Sequence, residues 1–225
     1  MSNNKASLSP KKRLVSKVYP VSLNIVDRMN RIPTFVDFLE AQGDVPTFAT
    51  RFALYDHVSK LVGAGPIDYL EFGVHQGESI RYWAQINQAA DSRFVGFDSF
   101  EGLPEQWLGL EAGHFSTGGN VPAIDDGRVS FVRGWFQETL DGFLDGFKPR
   151  NRLVINNDSD LYSSTLYTLT RLNALLVPGT IIIFDEFDDV QHEFRALQDY
   201  CSAYLKKFQM LGAFDRFSRV AFEVL

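Results

Sequence analysis

The sequence predicts an α/β fold: a seven-stranded, mostly parallel sheet with helices on both faces, closing on an antiparallel hairpin. Two observations predict it. Short β-rich runs that stop at Gly, Asp or Ser alternate with longer helical patterns, and parallel strands require crossover connections of that kind. The last two β-rich runs, in contrast, are separated only by residues 215–218, a gap short enough for nothing but an antiparallel hairpin. In order, the parallel part reads as strand 67–72, helix 77–90, strand 93–97, strand 129–133, helix 136–147, strand 153–156, helix 163–176 and strand 180–184. A helix over 191–206 then leads into strands 208–214 and 219–224.

Ahead of the sheet, residues 20–63 carry at least two helical patterns, one of them over 47–61. The chain therefore divides into an N-terminal extension with a helical cap or lid, 1–63, and a ligand-binding domain, 64–225. Residues 103–127 hold Pro104, Gly109, Gly113, Gly118, Gly119, Pro122 and Gly127. An irregular stretch of that length inside a compact domain is uncommon, and its place after a strand's carboxyl end marks it as a ligand-covering loop.

Composition removes several function classes. With 225 residues, 45% hydrophobic and 22% charged, the chain is ordinary globular material, not a disordered, collagen-like or disulfide-built one. Twenty-two Lys+Arg against 28 Asp+Glu leave a net charge of −6, which argues against general binding to nucleic acid or an anionic membrane. The single cysteine, Cys201, rules out an intrachain disulfide and fits a reducing cytosol. No apolar run approaches membrane-helix length, and the polar, basic first dozen residues lack a secretory core, so a cytoplasmic protein with a loose N-terminus is expected.

The chemistry concentrates at the ends of the strands. Asp68-Tyr69-Leu70-Glu71-Phe72-Gly73-Val74-His75-Gln76-Gly77 runs from a strand through a glycine turn into a helix. Such a turn lets backbone approach a ligand, and the helix start offers free N–H groups. The spacing is not G-x-G-x-x-G, so pyrophosphate binding is poorly supported, whereas Glu71 suits a ligand carrying an amine. The next strand ends in Gly96-Phe97-Asp98, which places a carboxylate where it can accept from both hydroxyls of a ribose; the competing role for Asp98 is to cap its own turn.

A third group is acidic. Asp158 follows one strand, Asp185 and Glu186 follow the next, and carboxyl ends of neighbouring parallel strands lie side by side. Carboxylates brought together repel unless a cation neutralises them, and an all-oxygen set favours magnesium, calcium or manganese over zinc. Asp188 and Asp189 read as ordinary loop acids before a helix. The histidines, His57, His75, His114 and His192, have no metal-ligand spacing; His75 and His192 are the two placed to serve as proton acceptors. Ser163, Ser164 and Thr165 read as a helix start.

Five blocks in register, Leu70-Glu71-Phe72-Gly73-Val74, 96–104, Gly134-Trp135-Phe136 with Thr139-Leu140, 158–165 and Phe184-Asp185-Glu186-Phe187, resemble the macrocin O-methyltransferase family. The resemblance runs from about Tyr69 to Tyr200 and implies a Rossmann-like class I methyltransferase that uses S-adenosylmethionine and magnesium to methylate sugar hydroxyls of natural products. It implies that Glu71, Gly73 and Gly77 line the methionine end of the cofactor, with Val74, Ser79 and Asp158 among its contacts. Asp98 and Ser99 would hold the ribose, and Gly134 and Trp135 would flank the adenine; a tryptophan opening a helix beside a sheet is equally often core. Asp158 and Asp185 match metal-binding aspartates, and Glu186 stands where the family commonly has Asp. Asp158 would also take the hydroxyl proton, with His192 as the other catalytic candidate.

The acceptor is then a small molecule with a free hydroxyl, and association into a homo-oligomer through the N-terminal segment is expected from the resemblance. Three rivals remain: a catechol-type metal-dependent methyltransferase, a non-catalytic nucleoside-binding partner of the same fold, and a nicotinamide-dependent oxidoreductase.

Overall fold

The computed structural model describes residues 23–107 and 109–225, with side chains from residue 27 onward. The basic first dozen residues lie outside that range. The chain forms two compact units, one ending at Ala41 and the other running from Gln42 to Leu225.

The first unit contributes helix α1, Leu23–Gln42, which carries an Asp27–Arg31 ion pair one turn apart and Pro33 in its interior. The second unit contains everything that positions the site. Its elements are strand β1 (Thr47–Phe48), helix α2 (Arg51–Val62), β2 (Ile67–Phe72), α3 (Glu78–Ile86), β3 (Arg93–Asp98), β4 (Val129–Arg133), α4 (Phe136–Gly146), β5 (Arg152–Asn157), α5 (Tyr162–Leu172), β6 (Ile181–Phe184), α6 (Glu193–Tyr204), β7 (Phe208–Phe214) and β8 (Arg219–Val224).

The strands form one sheet in the order β1-β7-β8-β6-β5-β2-β3-β4, parallel except where β8 runs antiparallel to both β6 and β7. The α/β class, the parallel body and the terminal hairpin are as the sequence predicts. The sheet has eight strands, not seven. The extra one is β1, whose Thr47 and Phe48 pair with Ala213 and Phe214, so the helix expected over 47–61 begins only at Arg51. Thr50 sets that start, because its Oγ1 accepts from the Ala53 N–H at 3.1 Å. The helix expected over 77–90 stops at Ile86. Asn87 turns extended there, and its side chain donates to Gly65 O and accepts from Ser92 Oγ.

Central strands β2 and β6 are buried along their whole length, as expected for parallel strands with both faces covered. On one face Leu54, Tyr55 and Val58 of α2 and Ile80, Trp83 and Ala84 of α3 pack over Ile67, Tyr69, Phe94, Val154, Ile181 and Ile183. On the other, Phe136 and Phe143 of α4 meet Phe72 and Phe97 edge-on, and Phe194 of α6 reaches Phe187, which packs on Phe222. Helices therefore cover both faces, and the carboxyl ends of β2, β3, β5 and β6 are left free to carry a site.

Candidate active site

A cleft of about 340 Å³ opens over those strand ends. Its floor is the turn after β2. Gly73 has φ +89, and a Cβ there would fall 1.7 Å from the Asp158 carbonyl oxygen, so only glycine lets the ends of β2 and β5 approach this closely. The Asp158 N–H donates to Phe72 O at 2.8 Å and locks the two turns together.

Glu71, at the end of β2, is 1% exposed and accepts from the Tyr69 hydroxyl beneath it. Burial pushes its carboxyl up to about 8, against the pull of that hydrogen bond. Asp98 lines the cleft while doing structural work. Its Oδ2 accepts from the Val74 and His75 N–H groups, both at 2.8 Å, and its Oδ1 from Phe100 N–H at 2.7 Å. The turn-capping role is thus realised, and the carboxylate also fixes the glycine turn from the neighbouring strand. Ser99 Oγ accepts from Glu101 N–H and donates to Gly102 O in the same loop.

The same cleft carries an acidic wall. Asp158, Asp160 and Glu186 each offer a carboxylate oxygen within 4.8 Å of the others. Asp160 (φ 60) and Glu186 (φ 35) hold left-handed backbone, which is costly for such residues and is found where surroundings enforce it. Burial raises all three, aided for Asp160 and Glu186 by the charge of Asp158; Asp160 is pushed up to about 7 and Glu186 to about 9. Oε2 of Glu186 is buried and no donor reaches it.

Asp185 does not face its neighbours in that cluster. The β6–β8 register sets Val220 opposite Phe184, so Arg219 falls beside Asp185 and grips both its oxygens, Nε to Oδ1 at 2.8 Å and Nη2 to Oδ2. The same Nη2 reaches Asp158 Oδ2 at 3.3 Å, and Nη1 donates to the Tyr55 hydroxyl.

Of the residues singled out in the sequence, Glu71, Gly73, Val74, Ser79, Asp98, Ser99, Trp135, Asp158, Asp185 and Glu186 line the cleft. Gly77 and Gly134 do not: Gly77 caps α3 at φ +75, and a Cβ on Gly134 would fall 2.7 Å from Thr139 Cγ2, so both shape backbone. His192 also lies outside the lining; its Nδ1 accepts from Tyr162 N–H at 3.2 Å and steadies the start of α5. His75, with φ 50, is the histidine that faces the cleft. The sequence reading assigned no role to Asp160 or Arg219. For Asp160 the signal is its place two residues after Asp158; for Arg219 it is a charge opening the apolar run Val220–Phe222, which burial obliges to find a partner.

The irregular segment after β3 does reach the site, since Leu103, Pro104 and Phe115 line it. It is tied by its own bonds, Leu103 N–H to His114 O and Gly119 N–H to Phe100 O, and by a small core of Leu103, Trp107 and Leu161. Arg51, from the start of α2, forms a further part of the wall and pairs with Glu78.

Residues 70–187 match the family described as methyltransferase domain. The chain belongs to this family. A methyltransferase relative from Streptomyces olivaceus, 8-demethyl-8-(2,3-dimethoxy-alpha-L-rhamnosyl)-tetracenomycin-C 4'-O-methyltransferase, is 31% identical over 157 residues, 58% of this chain and 58% of that protein. The match thus spans little more than half the length of that relative. Among solved structures, the calicheamicin methyltransferase CalS11 is similar over 96% of this chain and 94% of its own, with TM-score 0.58 at 21% identity. A structure of CmcI described as holding Mg and SAM is similar over 79% of this chain and 72% of its own, with TM-score 0.52 at 15% identity. These likenesses show the methyltransferase fold, with its parallel sheet and terminal hairpin.

Proposed function

We propose that this methyltransferase domain is an S-adenosylmethionine-dependent O-methyltransferase of the macrocin type, acting with a divalent cation on a hydroxyl of a sugar or natural-product glycoside. The observation that carries the reading is the cleft itself, where the glycine turn, the Asp98 carboxylate and the grouped carboxylates of Asp158, Asp160 and Glu186 line one space. The relative from Streptomyces olivaceus, by its name a 4'-O-methyltransferase of a rhamnosyl compound, supports the acceptor class. The Mg and SAM of the CmcI structure support the cofactors.

In this reading Glu71 and the backbone at Gly73 and Val74 bind the methionine end, Ser79 borders it, Asp98 and Ser99 take the ribose, and Trp135 covers the adenine. An acidic cleft favours a sulfonium cation, and the product, having lost that charge with the methyl group, is held less tightly. The residues fit a divalent cation as well, because the orphaned Oε2 of Glu186 lies among carboxylates with no donor to satisfy it. Asp158 and Glu186 would hold the ion, and Asp185 is the third candidate from sequence. When bound, such an ion lowers the pKa of a hydroxyl and orients it. The chain's own part is to align acceptor oxygen, methyl carbon and sulfur. Bound S-adenosylmethionine would supply the methyl group to the acceptor oxygen, and Asp158 would receive the hydroxyl proton. His75 faces the same space, whereas His192 acts on the start of α5.

Helix α2, the part of the expected cap that belongs to the second unit, borders the cleft, a reading that Arg51 in the cleft wall supports. The acceptor is a small molecule, association into a homo-oligomer goes with the family resemblance, and the cytoplasm is the setting that a lone cysteine suits. Among the described residues no helix is long and apolar enough to cross a membrane. Replacing Asp158 with Ala tests the mechanism: turnover of a rhamnosyl acceptor falls at least about a hundredfold while the Kd for the cofactor holds. Equal loss of both would assign Asp158 a structural role instead.

A further inference from the structure

We infer that Phe115 is a specificity-determining residue of the acceptor site, its phenyl ring taking the apolar C–H face of the acceptor's sugar ring. The inference rests on the O-methyltransferase reading above and adds to it the side of the acceptor that this chain recognises.

Phe115 is placed at a cost on two counts. Its ring lines the cleft and stays 42% exposed, whereas the phenylalanines of β2 and β3 are fully buried. Its backbone has φ 64, in the left-handed region that bulky residues avoid. A residue persists in that conformation where its surroundings over-determine it, and such positions gather at ligand sites. An aromatic ring left open in a concave site is a contact surface for what the site binds.

The surroundings here are cross-tied on both sides of the residue. His114 O accepts from Leu103 N–H at 2.9 Å, while Thr117 N–H and Gly119 N–H both donate to Phe100 O, at 3.2 and 2.9 Å. The same segment reaches from the end of β3 to the junction of β5 and α5. There Glu105 accepts from Ser163 Oγ at 3.0 Å, and Trp107 packs with Leu161. Phe115 meets the Trp107 ring at 6.4 Å and the ring of His75, from the turn after β2, at 6.0 Å. It therefore links the turn assigned to the cofactor with the loop docked at the β5–α5 junction, the junction that carries Asp158.

The chemistry of the cleft selects the ligand. Leu103 and Pro104 add apolar surface to that of Phe115, and the carboxylates line the same space. A sugar ring matches both, with hydroxyls around its rim and C–H bonds on its faces. The negative potential over the phenyl face attracts those C–H hydrogens, leaving a hydroxyl for the acidic wall. Each part of S-adenosylmethionine already has its own partners in the reading above, at the glycine turn, Asp98 and Trp135, so the ring of Phe115 falls to the acceptor.

The test is saturation-transfer-difference NMR with methyl α-L-rhamnopyranoside as the probe. The full-length protein is loaded with S-adenosylhomocysteine, the demethylated product, and its aromatic protons are irradiated. In the wild type, C–H protons on one face of the probe should receive saturation. Phe115→Ala should remove that signal and weaken probe binding about tenfold or more, the loss expected when a buried phenyl contact is deleted. Phe115→Tyr keeps the ring and should restore both. The Kd of S-adenosylhomocysteine should be the same in Phe115→Ala as in the wild type, which a merely structural role would not allow. Transfer that persists in Phe115→Ala would overturn the inference, as would a parallel loss of S-adenosylhomocysteine binding. A loaded wild-type protein that gives no transfer to the probe counts against this inference alone, whereas a wild type that does not take up S-adenosylhomocysteine counts against the methyltransferase reading and this inference with it.

Discussion

Asp68 shows what a single carboxylate does for this fold. Its side chain is fully buried near the start of β2, where it accepts from Arg93 Nε at 2.7 Å and from the N–H groups of Arg150 and Asn151 at 2.6 and 2.9 Å. Burial raises its carboxyl, yet the arginine and the two backbone donors outweigh burial and hold it below the ordinary range. A depressed folded-state pKa contributes stability above the unfolded value of about 3.9, lost as pH falls through the folded one. Asp68→Asn should therefore cost about 1–3 kcal/mol at neutral pH, a difference that shrinks in acid, as paired urea melts at about pH 7 and about pH 3 would show. At Gly73 the cost is steric. Gly73→Ala should destabilise by roughly 4 kcal/mol or more, read by the same melts. Cys201 is buried enough that its thiol is pushed up to about 12, so iodoacetamide at about pH 8 should label it far more slowly than it labels the urea-unfolded chain.

The elements divide by how local their cause is. Strands β2 to β6 and the helices between them announce themselves through apolar runs and breakers carried in their own residues, and the hairpin through its short gap. Strand β1 has no such signature. Two residues pair with β7 across most of the chain, and Thr47 and Phe48 look no different from the helix that follows. What makes room for them is Gly212, next to a register shift in β7, where a Cβ would come within 3.0 Å of both Leu54 Cδ1 and Phe48 Cε2. Arg219 was hidden for the same reason, since only the β8–β6 register brings it to Asp185. Asp160 was in plain view, but its direction depends on a backbone turn that composition does not fix. The glycine turn, Asp98 and Asp158 were legible because strand-end position alone determines where they point. Helix α2 belongs to the core that supports the cleft, so Leu54→Ala should cost about 2–5 kcal/mol by thermal or urea unfolding, while a change at exposed Leu61 on the same helix should cost little.

At the scale of the whole molecule, the decisive property is a concentration of carboxylates at one end of the sheet, Glu71, Asp98, Asp158, Asp160 and Glu186, against the few cations, Arg51 and Arg219, that reach the same cleft. A modest net charge conceals it. Such a cleft attracts a cationic cofactor, and its affinity depends on which acids are ionised. Glu71, pushed up to about 8 by burial, is mostly neutral below that value and ionised above it. A positively charged ligand favours the ionised form, so the affinity should rise as pH increases from about 6 to about 9, and Glu71→Gln should flatten that rise. Calorimetric titration of the purified protein with S-adenosylmethionine, with magnesium and with a chelator, and with NAD as control, decides whether the cleft takes the sulfonium cofactor. Micromolar binding of S-adenosylmethionine and none of NAD is expected; failure of S-adenosylmethionine to bind under either condition would contradict the methyltransferase reading.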